Sequence, residues 1–513
     1  MRQSYSCKRG VMERRSKIYN GSSLLKTKLS RRKALSTAGK IAITAVVAGA
    51  IAGVGGYLAG STRVAPATPA PEKTVTKTVT ATKTVTVAGT APPPAATTTT
   101  VTETMAKTVT ETVTMTSALP KLEISHWTWV TKVMEKAFEL SNALAKFNVE
   151  VSMESLTTSQ VYDKLTVAAT AGTGAPDWVI LENEFTPRFA SMGILRSLDE
   201  FGVEKYLDKF PKFWVDSGSY EGKVYGMPWD IGPCGIFYRI DLFEKYGLEP
   251  LKPGMTWDDV VEIGMQFLGT EGAKDHVFMS FPTNDRGPLT ALIQSKGGKI
   301  FEGNKCVLDS GEALEVIKFV ADLRDKKIIS MEPWWTDEWY AKVADGYFLC
   351  IPAGQWLGGF LRDWMAPDSV GLWRATSLPY WEKNKPTGGI YGGSNFCITT
   401  QTTDEKAERI WELIKFLTTD LDGVNALYKA SGFFPANMEY LELIKGSTEP
   451  YFGDQRWLEP FVEELKHTPV MEYSHLWTHY IGNVNALLER LAAGEDPVAV
   501  AKEIADIIRS EIG

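Results

Sequence analysis

The chain has 513 residues, of which 44% are hydrophobic and 23% are charged, so it is a globular protein longer than one ordinary domain. Its net charge of −7 is uneven, since residues 1–40 carry +11 and residues 41–120 a further +2, which leaves −20 on residues 121–513. This acidic part argues against nucleic-acid binding, because the phosphates of nucleic acids require Lys and Arg.

The N-terminal region predicts export. Residues 41–60 (IAITAVVAGAIAGVGGYLAG) carry no charge and are just long enough to span a bilayer as a helix. Residues 1–40 form a basic head, which predicts that the N-terminus stays inside the cell. Within it, Ser30–Leu35 (SRRKAL) is similar to a twin-arginine export signal. Residues 41–60 are therefore either an uncleaved transmembrane anchor or the apolar region of a signal cleaved near Ala59.

A threonine-rich segment, residues 61–120, follows the apolar run. Twenty of the residues 64–119 are Thr, and Pro92-Pro93-Pro94 interrupts them. Large apolar side chains are too few to form a core. The composition predicts either an extended, O-glycosylated stalk or a simple disordered linker. In both cases the segment would be extended and would not fold.

The composition becomes globular at Lys121. Leu122–Trp129 is predicted as a strand, residues 133–147 as a helix, and a second strand begins at Val149. A helix over Val161–Ala171 and a buried strand over Pro176–Leu181 follow. This β-α-β-α-β alternation predicts an α/β fold with helices packed on a sheet.

Helix signals recur later in the chain. Thr256–Asp259 (TWDD) is typical of a capping box at a helix start. Asp404 precedes a run over residues 407–417 that is apolar on one face. Asp496-Pro497 predicts an N-cap followed by proline at the first helical position.

The cysteines and histidines do not show the spacing that is typical of a metal site. His475 and His479 have helical metal-ligand spacing, but no third ligand is evident and we expect no bound metal. Four cysteines follow the apolar run, where disulfides can persist, and three pairings are open to them, as is the alternative of buried free thiols. They are Cys234, Cys306, Cys350 and Cys397.

Tryptophan is abundant and often falls in predicted loops beside Gly, Pro or acidic residues. An indole ring stacks on the apolar face of a pyranose while carboxylates and amides bind its hydroxyls. Core packing is the alternative for any single ring, but the set predicts that some of them line a cleft. The set comprises Trp127, Trp129, Trp229, Trp334, Trp335, Trp356 and Trp477.

The chain resembles the extracellular solute-binding proteins of ABC importers, in the sugar-binding family that includes the maltodextrin-binding proteins. Two segments carry most of the resemblance, residues 222–238 (GKVYGMPWDIGPCGIFY) and residues 241–247 (DLFEKYG). Others appear in the expected order at 168–179 (AATAGTGAPDWV), 192–199, 254–258, 297–301, 354–356, 392–395 and 493–497. The long stalk and the lack of a lipid-attachment cysteine differ from bacterial members and resemble archaeal ones.

The resemblance implies a two-lobed, periplasmic-binding-protein-like α/β fold of type II, with a ligand cleft between lobes joined by hinge crossings. Lobe 1 is expected at residues 121–229 plus 390–434, and lobe 2 at residues 230–389 plus 435–513. The crossings are expected near Trp229–Gly235 and Gly388–Asn395, with a return near Phe433–Tyr440.

Segment matching also implies the ligand-binding residues. They come from loops after predicted strands and from the two crossings. They are Trp127, Trp129, Glu182, Asn183, Glu184, Trp229, Asp230, Asp285, Arg286, Trp356, Gly393, Ser394, Asn395 and Trp477.

The implied function is capture of a mono- or oligosaccharide by hinge closure and its delivery to an ABC permease, by a monomer without cofactor or catalytic residues. Another small solute (a peptide, a polyamine or glycerol phosphate) is an alternative within the same class. An extracellular glycosidase using Glu182 or Glu184 with Asp230 is a second alternative. An envelope structural protein is a third, which only the stalk supports.

Overall fold

The computed structural model of the protein describes residues 75–87, 99–111 and 120–513. The predicted basic head and the apolar segment at 41–60 lie outside these residues. Among the helices that it describes, none is both long and apolar enough to cross a membrane.

The threonine-rich segment contains a two-stranded ribbon. Strand β1 (Val75–Val87) pairs antiparallel with β2 (Thr99–Glu111), with Val75 opposite Glu111 and Val87 opposite Thr99. Alternating Thr and Val are β-branched residues that favour strands. The sequence predicted an extended segment without a fold here, and the described residues instead form a paired ribbon.

The described residues 120–513 contain thirteen strands and seventeen α-helices. The strands are β3 (Leu122–Thr128), β4 (Val149–Ser155), β5 (Trp178–Glu182), β6 (Ser219–Tyr220), β7 (Lys223–Val224), β8 (Met227–Arg239), β9 (Val277–Pro282), β10 (Phe301–Glu302), β11 (Lys305–Cys306), β12 (Ile329–Glu332), β13 (Phe348–Gly354), β14 (Trp373–Ser377) and β15 (Ile390–Ile398). The helices are α1 (Thr131–Ser141), α2 (Ala143–Lys146), α3 (Thr158–Ala171), α4 (Thr186–Ser191), α5 (Lys212–Ser217), α6 (Ile240–Lys245), α7 (Trp257–Leu268), α8 (Gly287–Ser295), α9 (Gly311–Asp325), α10 (Asp337–Ala344), α11 (Leu357–Phe360), α12 (Asp404–Thr419), α13 (Leu421–Ser431), α14 (Met438–Ile444), α15 (Glu459–Leu465), α16 (Trp477–Ala492) and α17 (Pro497–Ile512).

A mixed sheet joins the two lobes. Its strands lie in the order β4-β3-β5-β15-β8-β13-β9-β12. The group β4-β3-β5 is parallel, and so is β13-β9-β12. Strand β8 pairs with β15 through its residues Met227–Pro233 and with β13 through Cys234–Tyr238. One buried strand therefore passes from the first parallel group to the second, as a hinge crossing requires.

Apolar cores cover the sheet, and one of them extends from the first parallel group to Phe348 and Ile351 on β13 of the second. Ile124, Phe138 and Trp178 are buried under the first group, beside helices α1 and α12. Under the second group the buried side chains come from α7, α9, α16 and α17, for example Ile263 and Val316. Burial of these apolar faces on both sides of the sheet is what fixes the α/β arrangement.

The predicted helix starts are confirmed. Thr256 and Asp259 form a reciprocal capping box at α7. The side chain of Asp496 accepts a hydrogen bond from the backbone N–H of Ala499, with Pro497 at the first helical position of α17. The helix predicted at 133–147 is instead two helices, because Asn142 adopts a left-handed conformation with φ +53° and ends α1.

The return towards the second lobe comes later than residue 434. Beyond that predicted boundary, the Asn437 amide donates to the carbonyl oxygen of Thr418 at 3.0 Å, and the Tyr440 hydroxyl lies 2.8 Å from Asn425 Oδ1. Helix α14 therefore packs on the helices of the first lobe.

The cysteines of the folded part are buried thiols and form no disulfide among the described residues. Burial raises the pKa of the Cys234 and Cys350 thiols well above their usual value. Of the two alternatives that the sequence left open, the structure has the free thiols.

Candidate functional site

A cavity of about 680 Å³ lies where the strands of both lobes end. Trp129 follows β3 and Glu182 ends β5, while Asp285, Trp335 and Trp356 follow β9, β12 and β13. The carboxyl ends of parallel strands are the usual place for a ligand in α/β folds. The volume is also typical of a small-molecule site.

Aromatic rings form one wall of this cavity. The centroid of the Trp356 ring lies 5.7 Å from that of Trp335 and 4.9 Å from that of Tyr391. The indole N–H of Trp356 donates to the backbone oxygen of Tyr391 at 2.8 Å. Since their N–H and ring edges are held by neighbours, these rings are oriented before any ligand arrives.

Trp335 has an unusual backbone conformation. Its φ is +66°, in the left-handed region that bulky residues rarely adopt. The indole N–H of Trp335 donates to Asp285 Oδ2 at 2.8 Å, and its ring packs edge-on against buried Trp339. Backbone strain of this kind clusters at functional sites, and here it turns the ring towards the cavity.

Asp285 is held by three donors. Besides the indole of Trp335, the hydroxyl of Tyr391 donates to Oδ2, and the backbone N–H of Gly287 donates to Oδ1 at 2.9 Å. Burial raises the pKa of the Asp285 carboxyl, and these hydrogen bonds oppose the increase. Its acceptor capacity is largely used to orient the aromatic wall.

Glu184 connects the two lobes. It follows β5 in the first lobe and forms an ion pair with Arg286 of the second lobe. Its Oε2 atom also accepts a hydrogen bond from the indole N–H of Trp477 at 3.1 Å. Arg286 reaches a second carboxylate of the first lobe, Glu182, at 4.0 Å, and the Tyr162 hydroxyl donates to that carboxylate at 2.6 Å.

Asp230 lies on the crossing strand β8, where it is only 6% exposed. Burial raises the pKa of this carboxyl to about 8. It is therefore mostly protonated at neutral pH and offers a hydrogen-bond donor as well as acceptors. Its Oδ1 atom is buried without a hydrogen-bond partner.

Ten of the fourteen predicted site residues line the cavity. They lie on both lobes and on both crossing strands. They are Trp129, Glu182, Asn183, Glu184, Asp230, Asp285, Arg286, Trp356, Gly393 and Ser394.

The other four predicted residues lie behind the cavity wall. The Trp127 ring packs in the core of the first lobe with the Lys164 ammonium 4.5 Å above it. Trp229 stacks on Phe396 at 5.4 Å between centroids. Both occupy strands that are buried on two faces, so their rings face the core.

Asn395 and Trp477 support residues that do line the cavity. The Asn395 amide donates to Asn183 Oδ1 at 2.6 Å and thereby positions the loop after β5. Trp477 is 1% exposed and packs against Tyr480, and only its N–H points at Glu184.

Several lining residues were absent from the predicted set. Trp335 stood out in the sequence as one of a Trp pair beside acidic residues, and Tyr391 directly precedes the Gly392–Asn395 segment of the second crossing. Ile390 and Gly392 fall within the predicted second crossing, and Phe433 begins the predicted return. The others, which no motif marks, are Val130, Thr158, Trp214, Gly287, Thr290, Phe360 and Tyr473.

Known structures share this fold. The chain is 24% identical to an ABC-transporter-associated binding protein from B. animalis subsp. lactis solved with β-1,6-galactobiose, with a TM-score of 0.62 over 77% of this chain and 97% of that one. The sugar-binding protein MalE from Xanthomonas citri aligns with a TM-score of 0.65 at 18% identity, over 76% of this chain and 97% of that one. The two-lobed α/β fold is therefore shown.

Three curated relatives also match. An arabinooligosaccharide-binding protein from Halalkalibacterium halodurans is 28% identical over 264 residues, which are 50% of this chain and 58% of the relative. A lactose-binding protein from Rhizobium radiobacter is 26% identical over 61% of this chain and 78% of its own length. A maltotriose-binding protein from Pyrococcus abyssi is 23% identical over 64% of this chain and 68% of its own length.

A family profile agrees with these likenesses. The profile of the bacterial extracellular solute-binding proteins matches residues 134–452, which include strands β4–β15 and the hinge crossings but not β3. The chain therefore belongs to the bacterial extracellular solute-binding proteins.

Proposed function

We propose that this protein captures a carbohydrate outside the cell and delivers it to an ABC permease. The observation that carries the proposal is the convergence of Trp335, Trp356 and Tyr391 with carboxylates and amides in one cavity between the lobes. Aromatic faces beside such polar groups are suited to pyranose rings and their hydroxyls. The names of the relatives, which bind arabinooligosaccharides, lactose and maltotriose, support this class of ligand.

Ligand capture would proceed by hinge closure. A sugar that contacts groups of both lobes binds the closed form better than the open one, and so shifts the population towards closure. Glu184 and Arg286 already join the lobes, and a ligand between Trp356 and Glu182 would add further contacts across the cleft. The permease would then recognise the surface that the closed lobes share.

A cationic ligand such as a polyamine is less well supported. The cavity contains four carboxyl groups and one guanidinium, which suggests an acidic site. However, the Asp230 carboxyl has a pKa of about 8, and Arg286 lies beside both glutamates. Little uncompensated negative charge remains to attract a cation.

The proposal extends to the N-terminal region. The basic head, the apolar segment at 41–60 and the threonine-rich stalk would anchor the folded part and keep it near its permease. Tethering raises the effective concentration of one partner around the other. Cleavage near Ala59 would release the protein and remove this advantage.

A ligand screen tests the proposal. Thermal unfolding of residues 120–513 should shift to higher temperature with saccharides and not with spermidine, glycerol 3-phosphate or dipeptides, because binding to the folded state stabilises it. Product analysis of the same saccharides separates binding from hydrolysis. Release of shorter sugars would overturn the binding-protein proposal in favour of a glycosidase.

A substitution locates the site. Trp356→Ala should weaken binding of the best saccharide from the screen by more than about ten-fold, since a buried aromatic anchor dominates binding energy. Trp381→Ala is the matched control, because Trp381 is also a half-buried, hydrogen-bonded tryptophan of the second lobe but does not line the cavity. If calorimetry shows an equal loss of affinity in both variants, Trp356 is not part of the binding site.

A further inference from the structure

A row of aromatic rings leaves the cavity along one helix face. Trp356 directly precedes α11, and the helix continues beyond Phe360 as a wider turn over Leu361–Met365, closed by a hydrogen bond from the N–H of Ala366 to the oxygen of Leu361. Trp356, Phe360 and Trp364 are spaced four residues apart. Residues at this spacing lie above one another on a helix.

The wide turn keeps the row straight. In an α-helix with 3.6 residues per turn, positions four apart drift around the axis. The wider turn over Leu361–Met365 counters that drift between Phe360 and Trp364. The ring centroids are accordingly evenly spaced, at 5.3 Å from Trp356 to Phe360 and 5.6 Å from Phe360 to Trp364. Turns of this kind often occur at functional sites.

The row passes from the cavity to the surface. Trp356 and Phe360 line the cavity, whereas Trp364 is 50% exposed. All sixteen tryptophans lie within residues 120–513, and Trp364 is the only one of them that is exposed. Core packing, which explains most of the others, does not explain this ring.

Trp364 is also held in place. The Phe360 ring meets it at an interplanar angle of 48°, and Tyr340 of α10 meets it at 71° with 5.2 Å between centroids. Neither neighbour stacks parallel on it, and half of Trp364 remains exposed. Its neighbours in sequence pair elsewhere, since Arg362 donates to Asp363 at 2.7 Å and to Glu449 at 3.1 Å.

We propose that Trp364 forms an outer subsite for an oligosaccharide that extends from the cavity over Phe360. This inference rests on the proposed function and makes the ligand more specific. A monosaccharide or disaccharide would stay inside the cavity, so only a longer oligosaccharide would reach Trp364. The continuity of the row with the cavity favours a glycan as the occupant of this surface. Contact of Trp364 with the permease is the competing explanation.

A length series tests the outer subsite. Affinities of the wild-type protein and of Trp364→Ala are measured by calorimetry for arabinose oligomers and maltooligosaccharides, from monosaccharide to hexasaccharide. In the series that binds, the substitution should leave the shortest sugars unchanged and weaken the longest by about two- to ten-fold, because one stacked ring is lost. Trp356→Ala should weaken every length.

Met265→Ala is the control, because Met265 is a similarly exposed apolar residue of the second lobe on α7. Equal losses at all lengths in Trp364→Ala, or no loss at any length, would overturn the outer subsite while leaving carbohydrate binding intact. Unchanged affinities together with reduced uptake in cells would assign Trp364 to the permease contact instead. If neither series binds the wild-type protein, the outer subsite is overturned, and the thermal screen then decides whether the proposed function survives.

Discussion

Asp230 shows how the surroundings of one residue decide its chemistry. The motif around it, MPWDIGP, was enough to predict a site residue by resemblance. Its protonation could not be predicted, because the pKa depends on burial in the fold, which raises it, and on neighbours distant in sequence such as Ser394 on β15, whose hydrogen bonds lower it. The same holds for Trp127 and Trp229, whose ring orientation depends on which face of a strand each occupies.

The raised pKa of Asp230 predicts a pH dependence of stability. The folded protein keeps this proton up to about pH 8, whereas the unfolded chain loses it near pH 4. Because the folded state binds more protons in between, the contribution of Asp230 to stability falls as pH rises through this window. Asp230→Asn has no such proton to lose.

We therefore expect the free energy of unfolding of Asp230→Asn, relative to that of the wild type, to rise by up to about 1.4 kcal/mol for each pH unit between about pH 4 and pH 8. Urea unfolding across this range measures the difference. The exposed Asp368→Asn should follow the wild-type curve. Parallel curves for wild type and Asp230→Asn would mean that Asp230 is ionised in the folded protein.

At the scale of elements, periodicity predicted most of the first lobe but not the hinge. The strands and helices between residues 122 and 182 follow their apolar patterns closely. Strand β8 does not, since Pro228, Gly232, Pro233 and Gly235 would normally argue against a central strand. Gly232 is needed because β8 approaches β15 closely there, and Gly235 because β8 approaches the backbone oxygen of Thr376 on β14. The pairing of β8 with β15 also shifts in register.

Gly232 is where this approach is tightest. A Cβ atom there would lie 2.1 Å from the backbone oxygen of Tyr391, so the crossing strands would have to separate. Gly232→Ala should lower the free energy of unfolding by about 1–3 kcal/mol, as overpacking does elsewhere. Denaturant unfolding measures this change.

Gly482→Ala provides the contrast. Gly482 lies within helix α16, where an added Cβ would meet no atom within 4 Å. Alanine is the better helix former, so the free energy of unfolding of this variant should be about 0.5–1 kcal/mol higher than that of the wild type. Equal stability of the two alanine variants would contradict the close approach of the hinge strands.

At the scale of the whole molecule, the cavity depends on contacts that join the lobes. The resemblance predicted Glu184, Arg286 and Trp477 as separate ligand-binding residues. In the structure Trp477 and Arg286 both meet Glu184 across the cleft. Residue matching could not predict this connection, because it forms only when the lobes are brought together.

We expect Glu184→Ala to open the ligand-free protein. The substitution removes the ion pair with Arg286 and the hydrogen bond from Trp477, and leaves Arg286 without its nearest carboxylate. The pair is partly exposed, with side-chain exposures of 25% for Arg286 and 14% for Glu184. After allowance for screening, its loss should shift the balance towards the open form by about 1 kcal/mol, or roughly five-fold.

Small-angle X-ray scattering of residues 120–513 measures this shift as a larger radius of gyration without ligand. Glu495→Ala is the matched control, because it removes an ion pair with Arg490 that lies within the second lobe. A saturating saccharide should return Glu184→Ala to the wild-type radius, since the ligand supplies new contacts across the cleft. A ligand-free radius equal to that of the wild type would show that Glu184 does not control closure, and its carboxylate would then act on the ligand alone.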